Sequence, residues 1–540
     1  MVVTRARAEA PSERRAGVVY TPRRVSEPMV QLALAPLIEG RSREEILALR
    51  ICDPAIGEGA FLVEIVRVLA EAIGGRDARR RVAERCIHGI DIDPDAVAVA
   101  RAAVEDFVGA RVPALRDHLA VGNALSHAWP LQFDVLVANP PYIRQELLAN
   151  KQTLRSFESY DGVADLYVYF IELAHRIARR FCLVVPNKWM TAAYGRPLRE
   201  FLSRANSIEG VVDFTSGLFD DADAFPCILW GTSNGATAPL RASRATPPVA
   251  LALATAQPRE RARWSSAPWH VDTDDDAALL DRLTRSLPAL AQIVPERPSR
   301  GVVTGCNRAF VIDADRRAQL LSREPAAESL IRPLIKGRDV RPWQPAPIDR
   351  YLLLIDRGTS LAKLPRVRAH LAQFRDDLEP RPADHRGPWQ GRKPGHYRWY
   401  ELQDPVVPLA KSRQPRLFYQ DIQTSPACCL DPSGDLVPDT TVWILPSADP
   451  FLLALLNSPL YAWYARRRFP PALNGAVRPK LDYMRALPIA TPSPAVRAKI
   501  TALVSCQLVD PEAIRAREIS ELVVEAYALS PAERALLRER

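Results

Sequence analysis

Four consecutive residues, Asn139-Pro140-Pro141-Tyr142, combine the groups needed to hold a flat ring that carries an amine. They follow an apolar segment, residues 133–138, which predicts a buried strand, and the two prolines fix the backbone just beyond it. The Asn139 side chain and the Pro140 carbonyl can each accept a hydrogen bond from an NH2 group, and neither proline has an N–H to compete. Tyr142 offers a ring face for stacking. Because Asn and Pro are also common in ordinary turns, the motif alone does not establish chemistry.

A second candidate site lies upstream, where a short strand at residues 50–52 leads through Asp53-Pro54-Ala55-Ile56-Gly57-Glu58-Gly59-Ala60-Phe61 into a helix predicted over residues 62–72. Gly57 and Gly59 let the backbone approach a ligand closely, and the helix N-terminus favours electronegative groups. The dinucleotide fingerprint needs a third glycine where Leu62 stands, and an acid about 20 residues on. The next acid at a strand end, Asp91, comes too late. A nicotinamide cofactor is therefore disfavoured, and an adenosine ligand whose ribose meets Asp91 remains open.

Together, the two sites resemble the DNA methyltransferases that form N6-methyladenine, specifically the gamma class typified by the TaqI enzyme. Further segments resemble blocks of that class in the same order: Tyr20-Thr21-Pro22, Gly89-Ile90-Asp91-Ile92-Asp93-Pro94, Asp165-Leu166-Tyr167, Pro186-Asn187-Lys188-Trp189, Val211-Val212-Asp213-Phe214 and Gly217-Leu218-Phe219. The cofactor blocks precede the catalytic block and a long region follows it, which is the order that defines the gamma class. The resemblance extends over residues 17–235 and continues more weakly beyond.

The resemblance implies a fold and a set of site residues. The expected fold is a class I S-adenosylmethionine-dependent, Rossmann-like α/β methyltransferase domain followed by an α+β target-recognition domain. Asn139, Pro140 and Tyr142 would be catalytic, and Pro141, Tyr142 and Phe219 would contact the target base, with Phe225 as an alternative to Phe219. The cofactor S-adenosyl-L-methionine would contact Tyr20, Thr21, Pro22, Asp53, Ala55, Gly57, Gly59, Phe61, Asp91, Ile92, Asn123 and Asn139. Asn123 departs from the family, which usually has Asp at this position.

The chemistry expected of this site needs neither a metal ion nor a His or carboxylate base. The adenine amine is a poor nucleophile because its lone pair is delocalised into the ring. Acceptance of both amine hydrogens, by Asn139 and by the Pro140 carbonyl, would favour tetrahedral nitrogen as positive charge develops. A base within a duplex cannot reach such a pocket, so it would flip out and stack on Tyr142.

Composition and patterning are consistent with a DNA-binding protein of several domains. The 540 residues carry a net charge of +9, which suits a polyanion such as double-stranded DNA, although an arginine-rich composition also follows from genome base content. The eight cysteines lack metal-ligand spacing, and no run of about 18 apolar residues occurs, so we expect a cytoplasmic protein without a metal or membrane contact. The expected domains are a flexible tail (1–16), the catalytic domain (17–287), the recognition domain (288–495) and a helical tail (496–540).

DNA recognition is expected in the second half. Residues 301–310 and 334–340 resemble the opening blocks of a target-recognition domain, and basic and aromatic residues interleave over residues 385–400. Arg392, Lys393 and Arg398 are expected to contact DNA, and a solvated loop with tucked-in aromatics is the alternative. The segment 455–468 predicts a helix ending in three arginines, and residues 514–540 predict a helical tail.

Two other functions share parts of this pattern. The Asn-Pro-Pro-Tyr motif also occurs in methyltransferases that act on a release-factor glutamine or on RNA base amines, which usually place an accessory domain before the cofactor motif. A catalytically inactive DNA-binding subunit is a third class, and the intact motif argues against it. No nuclease motif is evident in the sequence, so a partner restriction endonuclease would be encoded separately.

Overall fold

The computed structural model describes residues 21–129, 132–148, 151–215, 218–219, 225–472 and 475–538. The chain divides into two compact units, Met1–Asp274 and Asp275–Arg540, each with its own hydrophobic cores. Tyr20 and Gly217 of the sequence motifs lie outside the described residues. Within those residues, no helix is both long enough and apolar enough to cross a bilayer.

Nine strands of the described residues form one sheet in the first unit, in the order β3-β2-β1-β4-β5-β7-β6-β8-β9. Their bounds are β1 Ile51–Asp53, β2 Ile87–Asp91, β3 Leu119–Val121, β4 Phe133–Ala138, β5 Ala178–Pro186, β6 Ile208–Phe214, β7 Pro226–Thr232, β8 Leu240–Ala245 and β9 Gln257–Arg259. Strands β1 to β5 are parallel to one another, whereas β7 runs antiparallel between β5 and β6. This mixed α/β sheet confirms the fold class expected for the first half of the chain.

Apart from Asp134, the residues of strand β4 are apolar and buried. Val135 and Val137 belong to the core on one face of the sheet, while Leu136 and Ala138 belong to the core on the other face. Because both faces of the sheet are covered here, residues 135–138 do not alternate between apolar and polar.

Helices of the first unit flank this sheet. They are α1 Arg23–Ile38, α2 Arg43–Leu47, α3 Ala60–Ile73, α4 Ala78–Arg85, α5 Pro94–Val108, α6 Leu115–His118, α7 Tyr167–Ile177, α8 Arg196–Arg204 and α9 Val249–Ala254. Short 3-10 helices span Gln145–Leu147, Gln152–Ser156, Asn187–Met190, Ala193–Gly195 and Arg261–Arg263. Glu64 of α3 is buried and pairs with Arg23 at 3.4 Å and with Arg67 at 3.3 Å, which ties the start of α1 to α3.

The second unit contains two four-stranded sheets, in the orders β10-β17-β14-β15 and β11-β13-β12-β16. The strands are β10 Ser299–Arg300, β11 Val311–Asp313, β12 Ile331–Ile335, β13 Arg350–Leu353, β14 Arg416–Gln420, β15 Cys428–Asp431, β16 Val437–Pro438 and β17 Val442–Leu445. The helices are α10 Asp274–Ser286, α11 Leu290–Ile293, α12 Asn307–Phe310, α13 Ala314–Arg323, α14 Pro365–Ala372, α15 Arg375–Leu378, α16 Pro408–Lys411, α17 Pro450–Leu456, α18 Pro459–Arg468, α19 Leu481–Arg485, α20 Pro494–Val509, α21 Ala513–Ala526 and α22 Pro531–Leu536. Short 3-10 helices span Pro325–Leu330 and Gly337–Asp339.

The prediction of one helix over residues 455–468 is wrong, because two helices meet there. Helix α17 ends at Leu456, and α18 begins at Pro459 with Ser458 as its N-cap, whose Oγ accepts from Tyr461 N at 3.3 Å. Proline suits the first helical position but removes the N–H that a continuous helix would need. Of the terminal arginines, Arg467 forms an ion pair of 2.8 Å with Asp276 of α10.

Candidate active site

The carboxyl ends of three neighbouring parallel strands bring the predicted site residues together. Asp53 ends β1, Asp91 ends β2 and Asn139 directly follows β4, and β1 lies between the other two strands. The loop after β1 is joined to the end of β2, since Ile56 N donates to Ile90 O at 3.3 Å and Gly57 N donates to Asp91 Oδ2 at 2.9 Å. This edge is where open α/β sheets bind ligands.

Gly57 and Gly59 have the backbone geometry that the loop requires. Gly57 has a φ of +52°, and a Cβ built there would meet nothing within 4 Å, so its outer side faces open space. Gly59 has a φ of +85° and caps helix α3, and an added Cβ would lie 3.0 Å from Ala100 Cα. A ligand can therefore approach the loop at Gly57 while Gly59 packs against α5. Phe61 is buried in the first turn of α3, so a contact between Phe61 and a cofactor would be made by its backbone amide.

Asp91 is half-buried and well oriented for hydroxyl groups. Its Oδ2 accepts from Gly57 N, and its Oδ1 accepts from Asp93 N at 3.0 Å. Each carboxylate oxygen retains a further lone pair that can accept from a ribose hydroxyl. The adjacent Ile92 is 73% exposed, which leaves an apolar side chain beside the carboxylate for a flat ring to cover.

Asp53 is fully buried and only partly satisfied. Its Oδ1 accepts from Ala55 N at 3.0 Å, whereas Oδ2 has no hydrogen-bond partner within the part of the chain that the structure describes. Burial raises the pKa of this carboxyl to about 7, with a further increase from the negative charge of Asp91 and an opposing effect from the Ala55 amide. A ligand that brings positive charge to this edge would satisfy it.

Thr21 holds the amide of Asn139. Asn139 Nδ2 donates to Thr21 Oγ1 at 3.1 Å, which directs the carbonyl Oδ1 to the other side of the amide as the acceptor for a substrate amine. Thr21 is buried, and Pro22 is the N-cap of α1. Both residues were predicted to bind the cofactor, and the structure adds for Thr21 the role of positioning Asn139.

Asn123 lies at the end of β3, beside Asp91. Its Oδ1 accepts from Leu125 N at 3.0 Å, and the preceding Gly122 N donates to Asp91 O at 2.8 Å. The side chain is exposed, and because its oxygen accepts from Leu125 N, its NH2 group is the part that remains available as a donor.

Aromatic residues surround Tyr142. Its ring contacts Phe219 edge to face, with centroids 6.5 Å apart at 73°, and Tyr167, with centroids 6.4 Å apart at 72°. The Tyr142 hydroxyl donates to Val184 O at 3.4 Å, and burial raises its pKa. The structure thus places Phe219 in contact with Tyr142. The two rings are not parallel, so they do not form a gap that would hold a flat base between them.

Contacts that sequence reasoning missed hold this segment in place. Leu166 N donates to Ile143 O at 3.0 Å, and Gln145 N donates to Asp165 Oδ1 at 3.1 Å. Tyr167, which supports Tyr142, donates to or accepts from Tyr194 at 2.8 Å between hydroxyl oxygens. The sequence signal for these contacts was the block Asp165-Leu166-Tyr167 itself. The residues that this block contacts are distant from it in the sequence.

Asn187 anchors the segment that leads to Phe225. Its Nδ2 donates to Asp213 Oδ1 at 2.7 Å, and its backbone N donates to Phe225 O at 2.8 Å. Phe225 is thereby fixed through its carbonyl at the start of β7, whereas the ring that contacts Tyr142 is that of Phe219. Across the described residues, no group of three or more His, Cys, Asp or Glu side chains is arranged to hold a metal ion.

In the second unit, Arg392 does not fit the expected direct contact with DNA. Its side chain is 4% exposed, and the guanidinium donates to the carbonyl oxygens of Leu378, Thr304, Glu401 and Trp399 at 2.7–3.1 Å. Its pKa is lowered by burial. The arginine therefore holds several loop segments together, and its cationic group is not presented to solvent.

Lys393 and Arg398 are exposed, as a DNA contact requires. Lys393 lines an open pocket together with Arg357, His396, Tyr397 and Gln403. Arg398 Nη1 donates to the Tyr400 hydroxyl at 2.7 Å, and its backbone N donates to Glu401 Oε2 at 2.9 Å. These contacts fix the backbone of residues 385–400, the basic-aromatic loop, and leave both cations at its surface.

Arg392 and Arg398 are expected to behave differently when each is replaced by alanine. Arg392→Ala leaves four buried carbonyls without a donor and should destabilise the second unit by about 3 kcal/mol or more, seen as a lower thermal unfolding midpoint. Arg398→Ala should leave the midpoint unchanged, weaken DNA binding and reduce its salt dependence. Equal midpoints for both variants would contradict the structural role of Arg392.

The chain is similar to several methyltransferases of restriction-modification systems. Residues 115–219 match the model of the Eco57I restriction-modification methylase family. The chain is 27% identical over 446 residues to the type II methyltransferase M.PaeR7I of Pseudomonas aeruginosa, covering 75% of this chain and 74% of that protein. It is 22% identical over 587 aligned positions to the type II methyltransferase M.BstVI of Geobacillus stearothermophilus, covering 98% and 99%. An adenine-specific methyltransferase, PglX of Streptomyces coelicolor, is 26% identical over 40% of this chain and 23% of its own length.

Among solved structures, the chain is similar to the type IIL restriction-modification enzyme MmeI in complex with DNA. The TM-score is 0.62 at 14% identity, covering 94% of this chain and 75% of MmeI. The two chains thus share a fold, in which a mixed α/β sheet is followed by further α/β structure. The open side of Gly57, the Asp91 carboxylate and the unsatisfied Asp53 oxygen fit the S-adenosyl-L-methionine that the sequence motifs lead us to expect.

Proposed function

We propose that the protein is a site-specific DNA methyltransferase of the gamma class that methylates the N6 amine of adenine, within a restriction-modification or related defence system. The observation that carries the proposal is the placement of Asn139, Pro140 and Tyr142 at the carboxyl end of β4, beside Asp53 and Asp91. The contact between Asn139 and Thr21 supports it, because it orients the amide carbonyl as an acceptor. The adenine-specific name of PglX is consistent with this choice of base.

The cofactor would be held by the residues at the ends of β1 to β4. Asp91 would accept from the ribose hydroxyls, Ile92 and Asn123 would meet the adenine, and the loop at Gly57 would face the remainder. When bound, S-adenosylmethionine supplies a methyl group activated by its sulfonium. Tyr20, Thr21 and Pro22 complete the proposed cofactor set, together with Ala55, Gly59 and Phe61.

Asn139 and Pro140 would act on the attacking amine. Asn139 Oδ1 and the Pro140 carbonyl each accept one amine hydrogen, which favours tetrahedral nitrogen and stabilises its positive charge as the N–C bond forms and the S–C bond breaks. The proton leaves the nitrogen for solvent after transfer, so no base is needed. The main contribution of the protein is to place the amine in line with the methyl group.

Entry of the base would require the aromatic residues to rearrange. Tyr142 would stack on the flipped adenine, with Pro141 at the same turn. Since Phe219 contacts Tyr142 edge to face, a base between the two rings must turn or displace Phe219. We therefore propose Phe219 as the second stacking residue only after this change.

The second unit would select the DNA sequence. Lys393 and Arg398 are exposed in the basic-aromatic loop and would contact phosphates or base edges, while Arg392 fixes the loop from within. Double-stranded DNA is the proposed substrate in the cytoplasm, and a separately encoded restriction endonuclease is the proposed partner. The names of two relatives, each called a type II methyltransferase, are consistent with a methyltransferase encoded apart from its endonuclease.

Sequencing of modified DNA tests the proposed function directly. The wild-type chain and its Asn139→Ala variant would be expressed in a host without adenine methylation, and the genomic DNA read by methylation-sensitive long-read sequencing. We expect N6-methyladenine in one sequence context with the wild type and none with the variant. Methyl transfer to release factors or RNA instead of DNA would contradict the proposal, as would its complete absence despite cofactor binding.

A further inference from the structure

Asp53 is an unusual carboxyl group for a cofactor site, because its environment opposes the charged form. It is 0% exposed, and one of its two oxygens has no hydrogen-bond partner among the described residues. The other oxygen accepts from the Ala55 amide at 3.0 Å. A buried carboxylate is normally paired with a cation or accepts several hydrogen bonds, and the described part of the chain provides Asp53 with neither arrangement.

The ionisable groups near Asp53 also oppose its ionisation. Asp91 of β2 repels it, and the Cys52 thiol that precedes it on β1 has its own pKa raised, by burial and by the Asp53 charge. No cation of the described chain contributes to the electrostatics of Asp53. Glu58, four residues after Pro54 in the same loop, is exposed.

We propose that Asp53 binds a proton in the ligand-free protein and releases it when the cationic cofactor binds, so that Asp53 becomes the counter-ion of the cofactor. The proposal rests on the proposed function, since it takes S-adenosylmethionine as the ligand. The O–H bond of the Asp53 carboxyl breaks, the proton passes to the buffer, and the carboxylate faces the positive charge that the ligand brings. Cofactor capture is thereby linked to pH at a residue that takes no part in methyl transfer.

The direction of the linkage follows from the charge states. Burial and Asp91 raise the pKa of Asp53 to about 7 in the ligand-free protein, and a nearby cation lowers it in the complex. Below this pKa, binding must displace a proton, so the apparent affinity increases as pH rises and levels off above about pH 7. Between pH 6 and pH 8, the expected increase is about tenfold.

Titration calorimetry on the full-length protein tests this. At pH 6.5, in buffers of different ionisation enthalpy, S-adenosylmethionine binding should release roughly 0.8 proton per site. The uncharged analogue 5′-methylthioadenosine should release none, because it lacks both cationic groups. Binding of S-adenosylmethionine without proton release, or with an affinity that does not depend on pH, would overturn the proposal.

Two variants assign the proton. Glu58→Gln removes an exposed carboxylate from the same loop and should keep both the proton release and the tenfold pH dependence. Asp53→Asn should abolish both. Proton release that persists unchanged in Asp53→Asn would overturn the assignment.

Stability of the ligand-free protein provides a measurement that does not require cofactor. Because the folded protein raises the Asp53 pKa above its unfolded value near 3.8, the folded state loses stability as pH rises from about 4 to 7. Asp53→Asn should therefore unfold several degrees higher than the wild type at pH 8, and at nearly the same temperature at pH 4. A variant that is less stable at pH 8 would contradict the proposal. Failure of the wild type to bind S-adenosylmethionine would instead overturn the proposed function itself.

Discussion

Replacement of Asn139 by alanine is expected to lower the rate of methyl transfer by about two orders of magnitude or more, the usual cost of deleting a transition-state hydrogen-bond partner. The side chain accepts from the amine as positive charge develops on the nitrogen, and the side chains of the neighbouring Pro140 and Pro141 offer no acceptor in its place. Cofactor and DNA binding should largely survive, because Asp53, Asp91 and the second unit are unchanged. Single-turnover rates at saturating DNA and cofactor provide the measurement.

The Asn139→Asp variant is the matched control for this prediction. It keeps an acceptor oxygen and loses the donor to Thr21 Oγ1, so its rate should lie between those of the wild type and Asn139→Ala. A thermal unfolding midpoint equal to that of the wild type would show that the loss of rate is not a loss of fold. Near-normal single-turnover rates in Asn139→Ala would contradict the proposed mechanism.

A fragment that ends at Asp274 is expected to retain cofactor binding and to lose specific DNA affinity by about a thousandfold or more, the span that typically separates specific from non-specific binding. The first unit contains the whole of the nine-stranded sheet, both of its cores and the cofactor residues. The proposed DNA contacts, Lys393 and Arg398, lie in the second unit. Calorimetry with S-adenosylmethionine and binding to cognate and non-cognate duplexes at fixed salt concentration would measure the two properties.

Cofactor binding by the fragment serves as the control for its folding. The full-length chain with both Lys393→Ala and Arg398→Ala is the matched comparison, because it alters only the proposed contacts and retains the second unit. The affinity of this double variant for the cognate duplex should lie between that of the wild type and that of the fragment. If the fragment methylated the same sequence with undiminished selectivity, recognition would lie in the first unit and the proposed division would be wrong.

Those features of the site that depend on short stretches of chain could be predicted from the sequence. The mostly apolar segment before Asn139 predicted a buried strand, and the structure has this strand over the same residues, Phe133–Ala138. The glycine loop between β1 and α3 was predictable for the same reason, since a strand, a turn with Gly57 and Gly59 and an apolar-periodic helix are local patterns.

Partners and burial, by contrast, were decided by the tertiary structure. Asn139 meets Thr21 across 118 residues of sequence, and Arg392 meets the carbonyl of Thr304 across 88, so neither contact has a local signal. The basic-aromatic composition around Arg392 and Arg398 is the same for a buried and an exposed arginine, yet only Arg398 remains at the surface. The protonation state of Asp53 is also decided by the tertiary structure, because the free energy of a charge depends on the water and the charges that surround it in three dimensions. The sequence by itself thus determined which groups stand at the strand ends. Only packing decided which of these groups are charged, which are exposed to solvent and which retain a lone pair that can accept a hydrogen bond.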